Sequence, residues 1–351
     1  MRADARIRLF AMHVELFVNA PSRDRETVRA FEALALGFMP RLDAATLASA
    51  ARLLAPCNDT PASVLAYLFQ RSADTRDAVL DLAPTLPPLV ADLMIGTGRA
   101  AGLAARPGLD AWTQDRLLVM EDPVVDARLA ANPHITLTET VLRRLIARAA
   151  ERPALARTLL AREDIALADE AALYLAADAG RRLLIRERIE ASATFQRRSL
   201  VRLPQAEAVA LAARAAEGDV AAFEAALSQA FGLAGAPPWR LLRPERQDLL
   251  ALALAALGIE EQAAMRIFLT LHPVVAHPVR SVFRLAESFR SVPQATARVL
   301  VEAILGADAE RHEWRSGQHV PMFEATGTAV RPGVPAPAEQ PQREEPRRLV
   351  G

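Results

Sequence analysis

Along this chain, short apolar stretches alternate with polar turns, and within the stretches the apolar residues recur every three or four positions. In the segment Asp122–Arg144, DPVVDARLAANPHITLTETVLRR, Val125 and Leu129 fall on one face of a first helix, and Val141 and Leu142 fall on one face of a second. That spacing is typical of amphipathic α-helices. Alternating Val, Ile, Thr and Tyr, which would indicate strands, form no convincing stretch. The pattern therefore predicts an all-α protein.

The turns between these stretches resemble one another. The segments LAPTL, ARPGL, ANPHI and AREDI each close an apolar helix and open a turn, and they end at Leu86, Leu109, Ile135 and Ile165. The intervals between them are unequal, as expected for short helical repeats with turns of variable length. A two-helix unit of this size cannot bury its own apolar face, so we expect consecutive units to stack in chain order.

Capping residues predict where the two helices of this segment begin and end. Asp122 is a favourable N-cap, and Pro123 occupies the first helical position, where its missing N–H costs no hydrogen bond. The first helix is expected to stop before Pro133. The second is expected to open with Thr136 and Glu139 as a capping box.

The segment EDPVVDARLAANPHITLTETVLRRLI resembles helical repeats of the HEAT and leucine-rich-variant type. The larger order of segments, FEALALGFMPRLDAATLASAARLLAP, then the repeat block, then GDVAAFEAALSQAFGL, is similar to an uncharacterised bacterial family catalogued as domain of unknown function 2336. The resemblance covers roughly residues 25–305. Glu163 in place of the repeat proline, and 72–77 without an Asp-Pro start, depart from the pattern. The resemblance implies a helical-repeat fold, and it implies no activity.

The sequence predicts four parts. Residues 1–55 form an N-terminal helical cap, 56–203 a helical-repeat solenoid, and 204–306 a C-terminal helical bundle. The segment Leu249–Leu257 is apolar nearly all round and is expected at the centre of that bundle. Residues 307–351 are rich in proline and charge and poor in large apolar groups, so we expect a disordered tail.

Composition narrows the function further. The 42 basic residues, all arginine, balance 42 acidic ones, which removes the global attraction that a general nucleic-acid binder would need. The single cysteine, Cys57, excludes an intrachain disulfide and fits a reducing cytoplasm, where we expect the protein to reside. His13 and Glu15 interrupt the first apolar run, which favours an amphipathic helix over a signal peptide. The longest later apolar stretch falls short of the roughly 20 residues of a membrane span.

The densest charge lies between Arg181 and Arg202, in RRLLIRERIEASATFQRRSLVR. One hypothesis is a docking surface for an acidic partner, since guanidinium groups pair with oxyanions through two hydrogen bonds. The candidate residues are Arg181, Arg182, Arg186, Arg197, Arg198 and Arg202. In that case Arg182, Arg186, Arg197, Arg198 and Arg202 should project to solvent largely without internal carboxylate partners. The alternative is a solvated helix face on which Arg186 pairs with Glu190.

No catalytic or cofactor motif emerges, and we expect no cofactor, no metal site and no enzyme activity. His272 and His277 are five apart, which is not the spacing of a zinc-binding helix. Trp239 is interpreted either as an anchor for a partner or as packing between helices, and Trp112 is isolated. The leading hypothesis is a scaffold that binds another protein. The alternatives are a nucleic-acid- or phosphate-binding repeat protein, which could be an enzyme using the arginine-rich stretch, and a purely structural or self-assembling unit.

Overall fold

The computed structural model describes residues 2–192, 202–233 and 239–306, with the backbone alone for residues 2–3. In these ranges every regular element is an α-helix or a 3-10 turn, and no strand occurs, so the prediction of an all-α fold is confirmed. No helix within them is both long and apolar enough to cross a bilayer. The predicted tail, 307–351, lies outside the described residues, and the predicted boundaries near 55 and 203 stay predictions.

Three helices come first: α1 (Arg2–Asn19), α2 (Arg25–Phe38) and α3 (Ala44–Leu54). The repeat region contains α4 (Ala62–Arg71), α5 (Ala73–Leu82), α6 (Pro88–Gly96), α7 (Ala100–Ala104), α8 (Ala111–Val119), α9 (Pro123–Ala131), α10 (Glu139–Ala149), α11 (Pro153–Leu160), α12 (Leu167–Ala172) and α13 (Ala179–Ala191). The C-terminal helices are α14 (Gln205–Glu217), α15 (Val220–Phe231), α16 (Gln247–Ala256), α17 (Glu261–Thr270), α18 (Pro273–Ala276), α19 (Val279–Ser291) and α20 (Gln294–Ile304).

Neighbouring helices in the repeat region pack in chain order. Contacts join α4 to α5, α8 to α9 and α10 to α11, and they also join each helix of one layer to the next in that layer. One layer contains α4, α6, α8, α10 and α12. The other layer contains α7, α9 and α11, in which α7 contacts α9 and α9 contacts α11. From α4 to α11 the helices therefore contact mainly their neighbours in the chain, as expected, and their description as repeats stays a prediction. Each unit buries its apolar face on the unit before and the unit after it.

The C-terminal helices surround α16. Every residue of Leu249–Leu257 is at most 8% exposed, as the uninterrupted apolar run predicted. Helices α19 and α20 pack on α16, and α20 also contacts α12 and α13 at the end of the repeat stack. Trp239 is 1% exposed, donates a hydrogen bond from Nε1 to the Ser228 hydroxyl at 2.8 Å, and packs on Phe231. Of its two interpretations, the structure supports packing.

Local capping chemistry sets many of the helix boundaries. Asp122 accepts hydrogen bonds from the backbone N–H groups of Val124 and Val125 at 2.7 and 3.3 Å, and Pro123 occupies the first helical position, as predicted. The helix ends at Ala131, before Pro133. Aspartates also cap five further helices, at Asp24, Asp43, Asp110, Asp178 and Asp219.

The predicted capping box of Thr136 is wrong, because α10 is capped by Thr138. The Thr138 hydroxyl accepts the backbone N–H of Val141 at 3.3 Å. Gln114, which lies on α8 and is 3% exposed, determines which of the two threonines caps α10. Its amide donates to the carbonyl of Thr136 at 3.2 Å and accepts the backbone N–H of Thr138 at 3.2 Å, which holds this turn in an extended conformation. A residue of the previous repeat therefore fixes where α10 begins.

Side chains at the equivalent position of successive turns link the repeats. Arg106, Asn132 and Arg162 each precede the proline, or Glu163 in its place, and we call them the turn ladder. Arg106 donates to the carbonyls of Leu80 and Ala83, at 2.8 Å for Ala83. Asn132 then donates to the carbonyls of Ala104 and Arg106, at 2.9 and 2.7 Å. Arg162 in turn donates to the carbonyls of Ala130, Asn132 and Ile135, at 3.1, 2.7 and 2.7 Å.

The turn ladder supplies hydrogen-bond donors to the C-terminal ends of helices. The last carbonyls of a helix have no partner within it and are costly to bury unless another donor reaches them. Here the donor comes from the equivalent turn of the following unit. Each rung therefore satisfies one helix end and fixes the spacing between two consecutive units.

Candidate interaction surface

Of the four arginines of the predicted cluster that the structure describes, Arg181, Arg182 and Arg186 make internal contacts. Arg181 pairs with Glu170, which is 4% exposed, at 2.9 Å. Arg182 pairs with Asp248 at 2.7 Å, donates to the carbonyls of Leu175 and Ala177, and lies over the ring of Tyr174. The expectation that Arg182 lacks an internal carboxylate is therefore wrong. The guanidinium of Arg182 fixes α13 to α16 rather than facing solvent freely.

Of the remaining candidate arginines, the structure describes Arg186 and Arg202. Arg186 donates to both the carbonyl and the hydroxyl of Ser291 at 3.2 Å, and Glu190 accepts from the Thr296 hydroxyl at 3.1 Å. These two residues thus contact the C-terminal helices instead of forming the expected pair with each other. Arg202 is exposed. Arg197 and Arg198 lie outside the described residues, and contact of this cluster with a partner stays a prediction.

Buried carboxylates held by two arginines occur elsewhere in the stack too. Asp126, 1% exposed on α9, accepts from Arg148 on α10 at 2.6 Å and from Arg152 at 2.7 Å. Arg148 also donates to the carbonyl of Leu118 at the end of α8, at 2.8 Å. This cluster therefore connects four consecutive helices, and its geometry is that of a structural linker.

A different surface exposes apolar side chains. Leu89 on α6 and Trp112 on α8 occupy the same position, the second residue, of two helices that contact each other, and they are 48% and 42% exposed. Arg116, one turn after Trp112, lies over the indole with its guanidinium carbon 6.0 Å from the ring centroid. Asp92 on α6 accepts from Arg116 at 3.0 Å. We call these four residues the Trp112 surface.

The contacts of the Trp112 surface explain why the tryptophan can stay exposed in a fixed position. The ion pair of Arg116 with Asp92 joins α6 to α8, and the guanidinium covers part of the indole. Tryptophan and arginine are the residues that most often dominate the energy of protein interfaces. Sequence reasoning missed this site, since Trp112 is isolated in the chain and its neighbours come from the previous unit.

A cavity of about 200 Å³ lies where the repeat stack meets the C-terminal helices. Alanine side chains of α10, α11 and α12 line it, together with Arg246, which is 6% exposed and donates from Nε to the carbonyl of Trp239 at 2.8 Å. Across the described ranges, no three His, Cys, Asp or Glu side chains converge as a metal site would require.

Comparisons of the chain with protein-family models, with curated proteins and with solved structures found no match. The resemblance to the uncharacterised bacterial family stays a prediction.

Proposed function

We propose that the chain is a helical-repeat scaffold whose Trp112 surface binds an apolar segment of another protein, without catalytic activity of its own. The single observation that carries the proposal is the exposure of Trp112 on α8, with Arg116 over its ring and Leu89 exposed at the equivalent position of the contacting helix α6. We place the scaffold in the cytoplasm, a proposal that rests on the unpaired Cys57.

Exposing the apolar side chains of Trp112 and Leu89 to water costs free energy. Burying the exposed parts of Trp112 and Leu89 against a partner would release water from apolar surface, which stabilises a complex. Because Arg116 and Asp92 already hold the surface in place, little side-chain freedom is lost on binding. A ring of polar groups around an apolar centre is the usual composition of a protein interface.

The alternative function, binding of nucleic acid or phosphate through the arginine-rich stretch, has less support. Arg181 and Arg182 already satisfy buried carboxylates, so an incoming phosphate would have to displace Glu170 or Asp248. Breaking such a pair leaves a charge without its partner in a partly buried site, which is strongly unfavourable.

Photo-crosslinking in the cells that express the chain tests the proposal. A benzoylphenylalanine replaces Leu89, and the matched control replaces Thr140, the exposed second residue of α10. We expect a discrete adduct with another protein from the Leu89 position and none from the Thr140 position. Introducing Trp112→Ala should remove that adduct while the thermal unfolding curve stays close to that of the parent, since Trp112 is 42% exposed.

Three results would contradict the proposal. The first is the same set of adducts from both positions, which would indicate random collisions. The second is an adduct at position 89 that persists in Trp112→Ala. The third is an adduct that contains only a second copy of this chain, which would argue against a separate partner.

A further inference from the structure

Helix α1, the first helix of the stack, carries apolar residues on two opposite faces. Phe10, Val14 and Phe17 are at most 4% exposed and pack towards α2 and α3. The outer face exposes Ala5, Leu9, Met12 and Leu16, which we call the α1 stripe; Leu9, Met12 and Leu16 are 41%, 48% and 63% exposed.

The spacing of the α1 stripe is that of a helix–helix seam. Its members are separated by four, three and four residues, the alternation of a and d positions in a coiled coil. At 100° per residue they fall within a sector of about 60°, on the side of the helix away from Phe10 and Val14. The end of a repeat stack is normally covered by polar residues, because an apolar end invites association.

We propose that the α1 stripe is the interface of a homodimer in which two copies of α1 pack antiparallel. In this register Leu9 of each copy meets Met12 of the other, and Ala5 meets Leu16. All four stripe residues then have a partner, and the small Ala5 faces the long Leu16. The same two contacts occur twice, as two-fold symmetry requires.

Charge complementarity selects a second copy in this orientation. Arg8 and Glu15 are exposed and lie along one edge of the α1 stripe, two turns apart. In the antiparallel pair Arg8 of each copy lies near Glu15 of the other, which gives two ion pairs. A parallel pair would instead place Arg8 near His13 and leave Glu15 without a basic neighbour. The opposite edge, with Arg6 and His13, adds no such pair.

The size of the contact sets the expected strength. An 18-residue helix is about 27 Å long, so two such helices bury less surface than the roughly 1,600 Å² of a standard stable interface. We therefore expect a reversible dimer whose population rises with protein concentration.

Sedimentation velocity of the full chain over a concentration series measures the association directly. Leu9→Glu with Leu16→Glu should weaken it at least about tenfold, because the dimer would then place four carboxylates against the apolar side chains of Met12 and Ala5. The matched control is Val209→Glu, a substitution at a residue 59% exposed on α14, which should dimerise like the parent. Circular dichroism checks that each variant remains helical.

Charge exchange tests the orientation without disturbing the apolar residues. Arg8→Glu alone and Glu15→Arg alone should each weaken dimerisation, because each places like charges opposite one another. The double variant Arg8→Glu/Glu15→Arg should dimerise like the parent, and the two single variants should form a heterodimer when mixed. The proposal is overturned if the parent chain stays monomeric, if the stripe variant associates as the parent does, or if the double variant is not restored.

Discussion

The turn ladder makes Asn132 a sensitive point of the repeat stack. Asn132 is 3% exposed, and its side chain makes three hydrogen bonds. The Nδ2 group donates to the carbonyls of Ala104 and Arg106, at 2.9 and 2.7 Å, and Oδ1 accepts the backbone N–H of His134 at 3.0 Å. We therefore predict that Asn132→Ala destabilises the fold by about 2–4 kcal/mol. Each lost bond contributes roughly 0.5–1.5 kcal/mol, and the groups left buried without a partner add to the loss.

Asn132→Asp removes the hydrogen-bond donor Nδ2 but keeps the shape of the side chain, so it tests the two properties separately. The carboxylate has nearly the same shape, but it brings negative charge against two carbonyl oxygens that need donors. We expect it to be more destabilising than Asn132→Ala at neutral pH. Because the folded state favours the protonated carboxyl, which can donate one hydrogen bond, this deficit should shrink as the pH falls below about 5.

Urea denaturation gives the free energies of unfolding, and hydrogen exchange of the turn amides detects local opening, since repeat stacks can unfold in parts. Asn58→Ala serves as the control, because Asn58 is exposed, and it should change the stability by less than about 0.5 kcal/mol. The reasoning fails if Asn132→Ala resembles this control, or if Asn132→Asp is no worse than Asn132→Ala.

Two further predictions concern single residues of the repeat stack. Asp126→Asn should destabilise the fold by about 3–5 kcal/mol, because two arginines lose a buried carboxylate. The control Asp92→Asn breaks an exposed pair and should cost less than about 1 kcal/mol. Equal losses of unfolding free energy in urea denaturation would contradict this prediction. Glu121 has a φ of 54°, in the left-handed region, so Glu121→Gly should stabilise by up to about 1 kcal/mol. Glu163→Gly, at a residue not in this conformation, should be neutral or destabilising, and a gain there as large as at Glu121 would refute the argument.

Much of the fold could be predicted from the sequence because the determinants are local. Asp122 and Pro123 specify the start of α9 through their own backbone neighbours, and the run Leu249–Leu257 specifies burial through its own composition. The start of α10 was predicted two residues too early. Its determinant, Gln114, lies in the preceding unit, so the sequence around Thr136 contains no signal for it.

The turn ladder was not predicted, for a related reason. Asn132 differs in size and charge from Arg106 and Arg162, so the resemblance among ARPGL, ANPHI and AREDI does not indicate that this position donates hydrogen bonds. What the three residues share is the ability to donate two or more hydrogen bonds to carbonyls of the preceding unit. The position therefore has the same role in three successive units, whether it is an arginine or an asparagine.

The need to satisfy buried carboxylates and helix ends also explains why arginines in the densest run of positive charge have internal partners: Arg181 and Arg182 each pair with a carboxylate. Every basic residue of this chain is arginine, and a guanidinium can donate to several carbonyls or carboxylates at once, as Arg162 and Arg182 do. A stack of short helices has many C-terminal ends whose carbonyl groups lack a partner within the helix. Arginines that donate to these carbonyls are engaged inside the protein and are not free to contact a partner. An apolar side chain that stays exposed has no such internal use. We therefore propose the exposed Trp112 and the α1 stripe as binding surfaces, while contact of the run between Arg181 and Arg202 with a partner stays a prediction.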